Sequence, residues 1–190
     1  MSAQIEPRRF NVIEYYRMAT AGVLTPDDRV ELIDGRILKM SPIGSPHAAC
    51  VARLSDALHD LAKPRSLVWI QSPIRLNEFS EPVPDVALIK ARKDYYDSRH
   101  PTPDDVWLII EVAATTLLTD RNIKVPLYAR AGVAEVWLVN LPKELIEVYS
   151  DPINGKYGKC AKFKRGEVVR SPTVKRLALK VNEILGEKLG

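Results

Sequence analysis

Pro84-Asp85-Val86-Ala87-Leu88-Ile89 and Val106-Trp107-Leu108-Ile109-Ile110-Glu111-Val112 decide how this chain is read. Each is a short apolar run of the kind a buried strand uses, and each holds one carboxylate. A carboxylate buried without a partner costs several kcal/mol, so each calls for a lysine or a metal ion nearby. Lys124 follows, on what reads as the helix after the second strand. Two acids on neighbouring strands and a lysine on a helix are the materials of a metal-dependent phosphodiesterase. A plain core salt bridge is the competing reading, and spacing alone leaves both open.

Working outward, Asn11–Ala21 has apolar residues at helical spacing. Val30–Ile33 and Ile37–Met40 flank Asp34-Gly35, a two-residue hairpin signal. Ser45-Pro46 opens a helix whose apolar face uses Val51, Leu54, Leu58 and Leu61. Leu67–Gln71, Ile74–Leu76, Asp85–Lys90 and Val106–Ala113 read as strands. A helix is expected over Asp120–Ala131, stopped by Gly132, followed by strands Glu135–Asn140 and Leu145–Tyr149. The remainder reads as turn-rich with short β segments and a last helix near Val181–Leu185. The fold class is α+β: a mixed, mostly antiparallel sheet flanked by helices, as one domain over residues 1–190.

Bulk properties narrow the function. The 190 residues suit one domain with a real core, and 46% hydrophobic with 27% charged is an ordinary globular balance. No run approaches the length of a membrane span and the N-terminus carries no apolar signal, so a cytoplasmic protein without membrane contact is expected. Cys50 and Cys160 are isolated, and His47, His59 and His100 show no metal-binding spacing, which argues against zinc. Net charge is +4, yet residues 151–190 hold ten Lys+Arg against four Asp+Glu. That basic, β-rich extension can neutralise phosphates, or it is an ordinary solvated surface or a dimer edge.

Carboxylates at one sheet edge repel unless one is protonated or a divalent cation lies between them. Magnesium suits such oxygen donors. Lys124 can hold an attacking water or offset charge on the phosphorane. Asp120, Lys124 and Tyr128 fall at i, i+4, i+8, on one helix face. Asp120 reads equally as a helix cap, and Tyr128 as a core residue with a satisfied hydroxyl.

The pattern Val30-Glu31-Leu32-Ile33-Asp34-Gly35, Met40-Ser41-Pro42, His47, Gln71-Ser72-Pro73-Ile74-Arg75-Leu76 and Pro84–Leu88 resembles the Uma-type family of restriction endonucleases. The match continues through Glu111-Val112-Ala113, Asp120-Arg121, Lys124, Leu127–Val133 and Glu135-Val136-Trp137, in order, across about residues 10–150. The resemblance implies a restriction-endonuclease-like core of the PD-(D/E)XK superfamily and magnesium-dependent cleavage of DNA, with manganese as a substitute. It implies Asp85 and Glu111 as metal ligands, Lys124 as the catalytic lysine moved from strand to helix, and Glu31 as an additional acid. Gln71, Tyr128, Asp120 and His47 are expected around them. A homodimer is expected, since cutting two strands takes two centres. Ala113 occupies the usual lysine position, and Ala114-Thr115-Thr116 departs from the Asp-Ser-Ser or Ser-Pro-Ser of relatives. That departure motivates an alternative: a nuclease-fold protein that binds nucleic acid or a partner without cutting.

Overall fold

A computed structural model describes residues 6–62 and 65–187 of the chain. Helix α1 (Val12–Thr20) is opened by a capping box, in which Asn11 Oδ1 accepts from the Glu14 amide and Glu14 Oε2 from the Asn11 amide. A hairpin follows, β1 (Val30–Ile33) and β2 (Arg36–Lys39), and then the long helix α2 (Ser45–Ala62). Strands β3 (Ser66–Ile70), β4 (Val86–Lys90) and β5 (Val106–Ala113) lead to α3 (Leu117–Thr119), a π-helical turn (Asp120–Lys124) and α4 (Val125–Arg130). Strands β6 (Glu135–Asn140), β7 (Leu145–Ile153) and β8 (Lys156–Lys164) complete the main sheet, and β9 (Val168–Arg170), β10 (Ala178–Lys180) and α5 (Val181–Leu185) close the order.

The main sheet has six strands in the order β3-β4-β5-β6-β7-β8. Every pairing is antiparallel except β5 with β6, which the α3–α4 crossover connects. Alternation along the strands then loads both faces. Val86, Leu88, Leu108, Ile110 and Val112 pack against Cys50, Val51, Leu54 and Leu58 of α2 and against Val181 and Ile184 of α5. Ala87, Ile89, Ile109 and Val136 pack on the other face against Val125, Leu127 and Tyr128. The side chain of Leu61, assigned to the α2 apolar face, lies outside the described residues. The α+β class and the mostly antiparallel sheet are as expected, and no helix among the described residues is long and apolar enough to cross a membrane.

Three expectations are corrected. Ile74–Leu76 is not a strand: its amides reach the carbonyls of Pro82 and Ser80, but Pro82 and Pro84 on the facing segment cannot return donors to build a ladder. The segment after Tyr149 is not made of short β pieces alone, because β7 runs on to Ile153 and pairs with the nine-residue β8. Asn154 and Gly155 both lie at positive φ between them, the turn chemistry a tight hairpin needs. Finally, the helix expected from Asp120 begins a turn earlier, at Leu117, so Asp120 lies inside it rather than capping it.

Pro126 accounts for the π-helical turn. In a regular α-helix its ring would meet the carbonyl of Asn122 and it has no amide to offer. The helix widens instead, and the Val125 amide donates to the Asp120 carbonyl five residues back.

Candidate active site

The β4–β5 ladder ends at Val86 opposite Ile110, so Asp85 and Glu111 are the next residues beyond its last pair. Asp85 sits one residue before its strand. Its Oδ2 accepts the Val112 amide at 2.8 Å, and its Oδ1 faces His47 Nε2 at 3.0 Å and Gln71 Nε2 at 3.5 Å. His47 reaches it from the first turn of α2, and Gln71 from the end of β3, where its backbone takes a φ of 40°. The Asp85 contact raises the His47 pKa against the opposing effect of burial. His47 Nδ1 is buried with no hydrogen-bond partner.

Glu111 points to the α4 face of the sheet. Its side chain is 3% exposed, with Oε1 accepting from the Tyr128 hydroxyl at 2.6 Å and lying 3.4 Å from Lys124 Nζ. The same ammonium is 3.1 Å from Glu31 Oε2, which also accepts the Val83 amide at 3.1 Å. Asp120, buried in the π-helical turn, accepts from the Thr116 hydroxyl. Glu31, Asp85, Glu111 and Asp120, with Lys124 and His47, thus line one cavity of about 490 Å³.

Four carboxyl groups line this cavity, and against them stand the buried ammonium of Lys124, the His47 imidazole and, exposed at the mouth, Arg29 and Lys39. Burial pushes the Glu111 carboxyl well above its usual range, and the neighbouring acids add to that against the pull of Lys124. Burial also raises Asp120, in spite of Thr116 and Lys124. For Lys124, burial disfavours the charge, but Glu111, Glu31 and Asp120 outweigh it and hold the lysine above its ordinary value. Tyr128 is held well above the ordinary phenol range by burial and then by Glu111.

Every residue singled out from the sequence therefore lines this cavity or, for Tyr128, touches a residue that does. Among the described residues, no three His, Cys, Asp or Glu side chains stand arranged as a metal cage. The position at which the sequence departs, Ala114, forms part of the cavity wall together with Thr115 and Thr116. Arg29 and Lys39, from the hairpin, line the mouth and were not singled out. Arg29 precedes Glu31 by two residues, and Lys39 follows Leu38, the strand partner of Glu31, so only the hairpin pairing brings them to the site.

With the geometry in hand, comparison with known proteins is informative. The family model described as Uma2, "Putative restriction endonuclease", matches residues 12–182. The crystal structure of a putative nuclease belonging to DUF820 from Anabaena variabilis ATCC 29413 superposes with a TM-score of 0.70 at 14% sequence identity, over 93% of this chain and 97% of that one. At that identity the likeness is one of fold. No curated protein matches.

Proposed function

We infer that this chain, which belongs to the Uma2 family of putative restriction endonucleases, is a divalent-cation-dependent endonuclease that hydrolyses phosphodiester bonds in DNA. The observation that carries this reading is the gathering of acid around Lys124: its buried ammonium pairs with Glu31 and Glu111, and Asp85 and Asp120 line the same cavity. A purely structural ion pair has no use for the other acids. A hard cation does, because magnesium takes oxygen donors and carboxylates above all.

The donor set fits such an ion. Asp85 and Glu111 would hold Mg²⁺, with Mn²⁺ as a substitute. When bound, the ion supplies Lewis acidity to a phosphoryl oxygen and lowers the pKa of water. The chain's own groups do the rest. Tyr128 holds Glu111 Oε1 and so fixes the carboxylate plane. His47 and the Val112 amide hold Asp85 from two sides. Lys124, steadied by Glu31, would orient the attacking water and offset the charge that grows as its oxygen bonds to phosphorus. The bond from phosphorus to one sugar oxygen breaks as the new one forms, the leaving oxygen takes up a proton, and the proton of the attacking water passes to solvent. A homodimer would bring two such centres to a duplex.

The second reading, binding without cutting, draws on two observations: Asp85 and Glu111 already have internal partners, and Ala114 brings no polar group to the wall. Nicking of supercoiled plasmid in Mg²⁺ or Mn²⁺ separates the two. The expected result is nicking by the wild type that Asp85→Ala and Glu111→Ala both lose. Equal nicking by the variants would refute this site, and a wild type that binds DNA but never nicks it would favour the second reading.

A further inference from the structure

Beside the acidic cavity lies a second groove of about 690 Å³, and the two share Leu38 and Ile123 in their walls. Its charge is of the opposite sign. Arg8, Arg9, Arg36 and Arg130 line it against two acids, Glu6 and Asp34. These arginines come from three separate parts of the chain: the N-terminal segment, β2 and the end of α4.

Two of them are held by one turn. Arg9 Nε donates to the Asp34 carbonyl at 3.0 Å, and Arg130 meets Asp34 Oδ2 at 2.7 Å. The Arg9 guanidinium also lies 4.5 Å from the Phe79 ring centroid. Gly35 makes room for this packing: its φ is 77°, and a Cβ there would stand 2.6 Å from Arg9 Cβ. An arginine on the surface gains little stability from such anchoring. What the anchoring achieves is a guanidinium with a fixed direction, which suits the planar recognition of a phosphate. Arg36, on the next strand, is exposed and forms no ion pair among the described residues.

The acidic cavity by itself repels a polyanion, so a strand that reaches it needs compensating charge alongside. We propose that this groove seats the sugar–phosphate backbone of the DNA strand as it enters the cavity, an inference that rests on the nuclease reading above. Lys39, at the other end of the same strand as Arg36, lines the acidic cavity, so basic residues stand on the hairpin at both the groove and the cavity. The basic strand β8, by contrast, is three strands away from β5 in the sheet.

The test is binding of a short fluorescent DNA duplex by the full chain in EDTA, followed by anisotropy across about 50 to 200 mM salt. Arg36→Glu should weaken binding roughly tenfold at low salt and flatten the log–log salt slope by about 1. Its thermal melt should match the wild type, because no partner is lost. Adding Arg9→Ala should deepen both effects, while Lys159→Glu with Lys162→Glu should leave the slope intact. A wild-type slope in Arg36→Glu, or a loss confined to the lysine variant, would overturn the groove while leaving the nuclease reading in place. A wild type with no affinity for DNA would remove both.

Discussion

Replacing Lys124 with methionine keeps the aliphatic stem and removes the buried ammonium from a cavity lined by four carboxyl groups. Nζ stands 3.1 Å from Glu31 and 3.4 Å from Glu111, with its side chain 8% exposed. Breaking a buried pair by removing one partner costs about 3–5 kcal/mol, because the other charge stays buried. At roughly 2–4 °C per kcal/mol for a chain of this size, the melting temperature at pH 7.5 should fall by about 10 °C. The loss should depend on pH in a definite direction. Burial already raises Glu111 and Asp120 above their ordinary values, and without the ammonium they rise further. A carboxyl raised in the folded state keeps its proton there more readily than in the unfolded chain. Its contribution is therefore most favourable below the unfolded pKa of about 4 and declines as pH rises through the folded value. The deficit of Lys124→Met should accordingly be small near pH 5 and grow toward pH 8. Scanning fluorimetry over that range measures it. A melting temperature equal to the wild type at pH 7.5, or a deficit as large at pH 5 as at pH 8, would refute the idea that this lysine compensates the acids.

Two further outcomes are expected. Asp105 is drawn down to about 2, because hydrogen bonds from Arg99 and from Thr102 outweigh the upward push of burial. Such a lowered carboxyl contributes above its unfolded pKa and loses that contribution as pH falls from about 4 to about 2, so Asp105→Asn should cost roughly 2 kcal/mol at pH 7 and little at pH 2, as read by urea midpoints. A cost that does not shrink with acid would contradict this. Gly35→Ala forces a left-handed residue to carry a Cβ into Arg9, and should lower the urea-derived stability by about 2 kcal/mol; an unchanged midpoint would show that the turn is not tight.

Much of the fold was legible because burial writes itself into periodicity. β4 and β5 are apolar on both faces, and both faces are covered. β8 left no such mark: most of Lys156–Lys164 is exposed at the sheet edge, so its alternation carries no apolar signal, and Asn154-Gly155 was the only cue. Ile74–Leu76 misled for the opposite reason. Ile74 and Leu76 are buried, but by core packing rather than by strand pairing. At the site, Asp85 and Glu111 could be picked out as charges in apolar runs, and Lys124 by its place on the helix that follows. Glu31, whose contact lies 93 residues away along the chain, entered only through the family resemblance. The arginine groove was invisible for a related reason: Arg9, Arg36 and Arg130 share no local pattern, whereas the C-terminal lysines form an obvious cluster along one stretch of the chain.

The π-helical turn has a consequence for angular phase. Four residues slightly exceed one α-helical turn, so positions i, i+4 and i+8 drift by about 40° at each step and fan over about 80° in all. Asp120, Lys124 and Tyr128 occupy those positions. The wider winding between Asp120 and Lys124 rotates less per residue, so the first step lags where the second leads, and the two offsets oppose each other. Pro126, which touches none of the acids through a hydrogen bond, thereby synchronises three side chains separated by two turns of helix. Sequence comparison by residue type alone would score that proline as a helix defect, yet it keeps the carboxyl, the ammonium and the phenol in step.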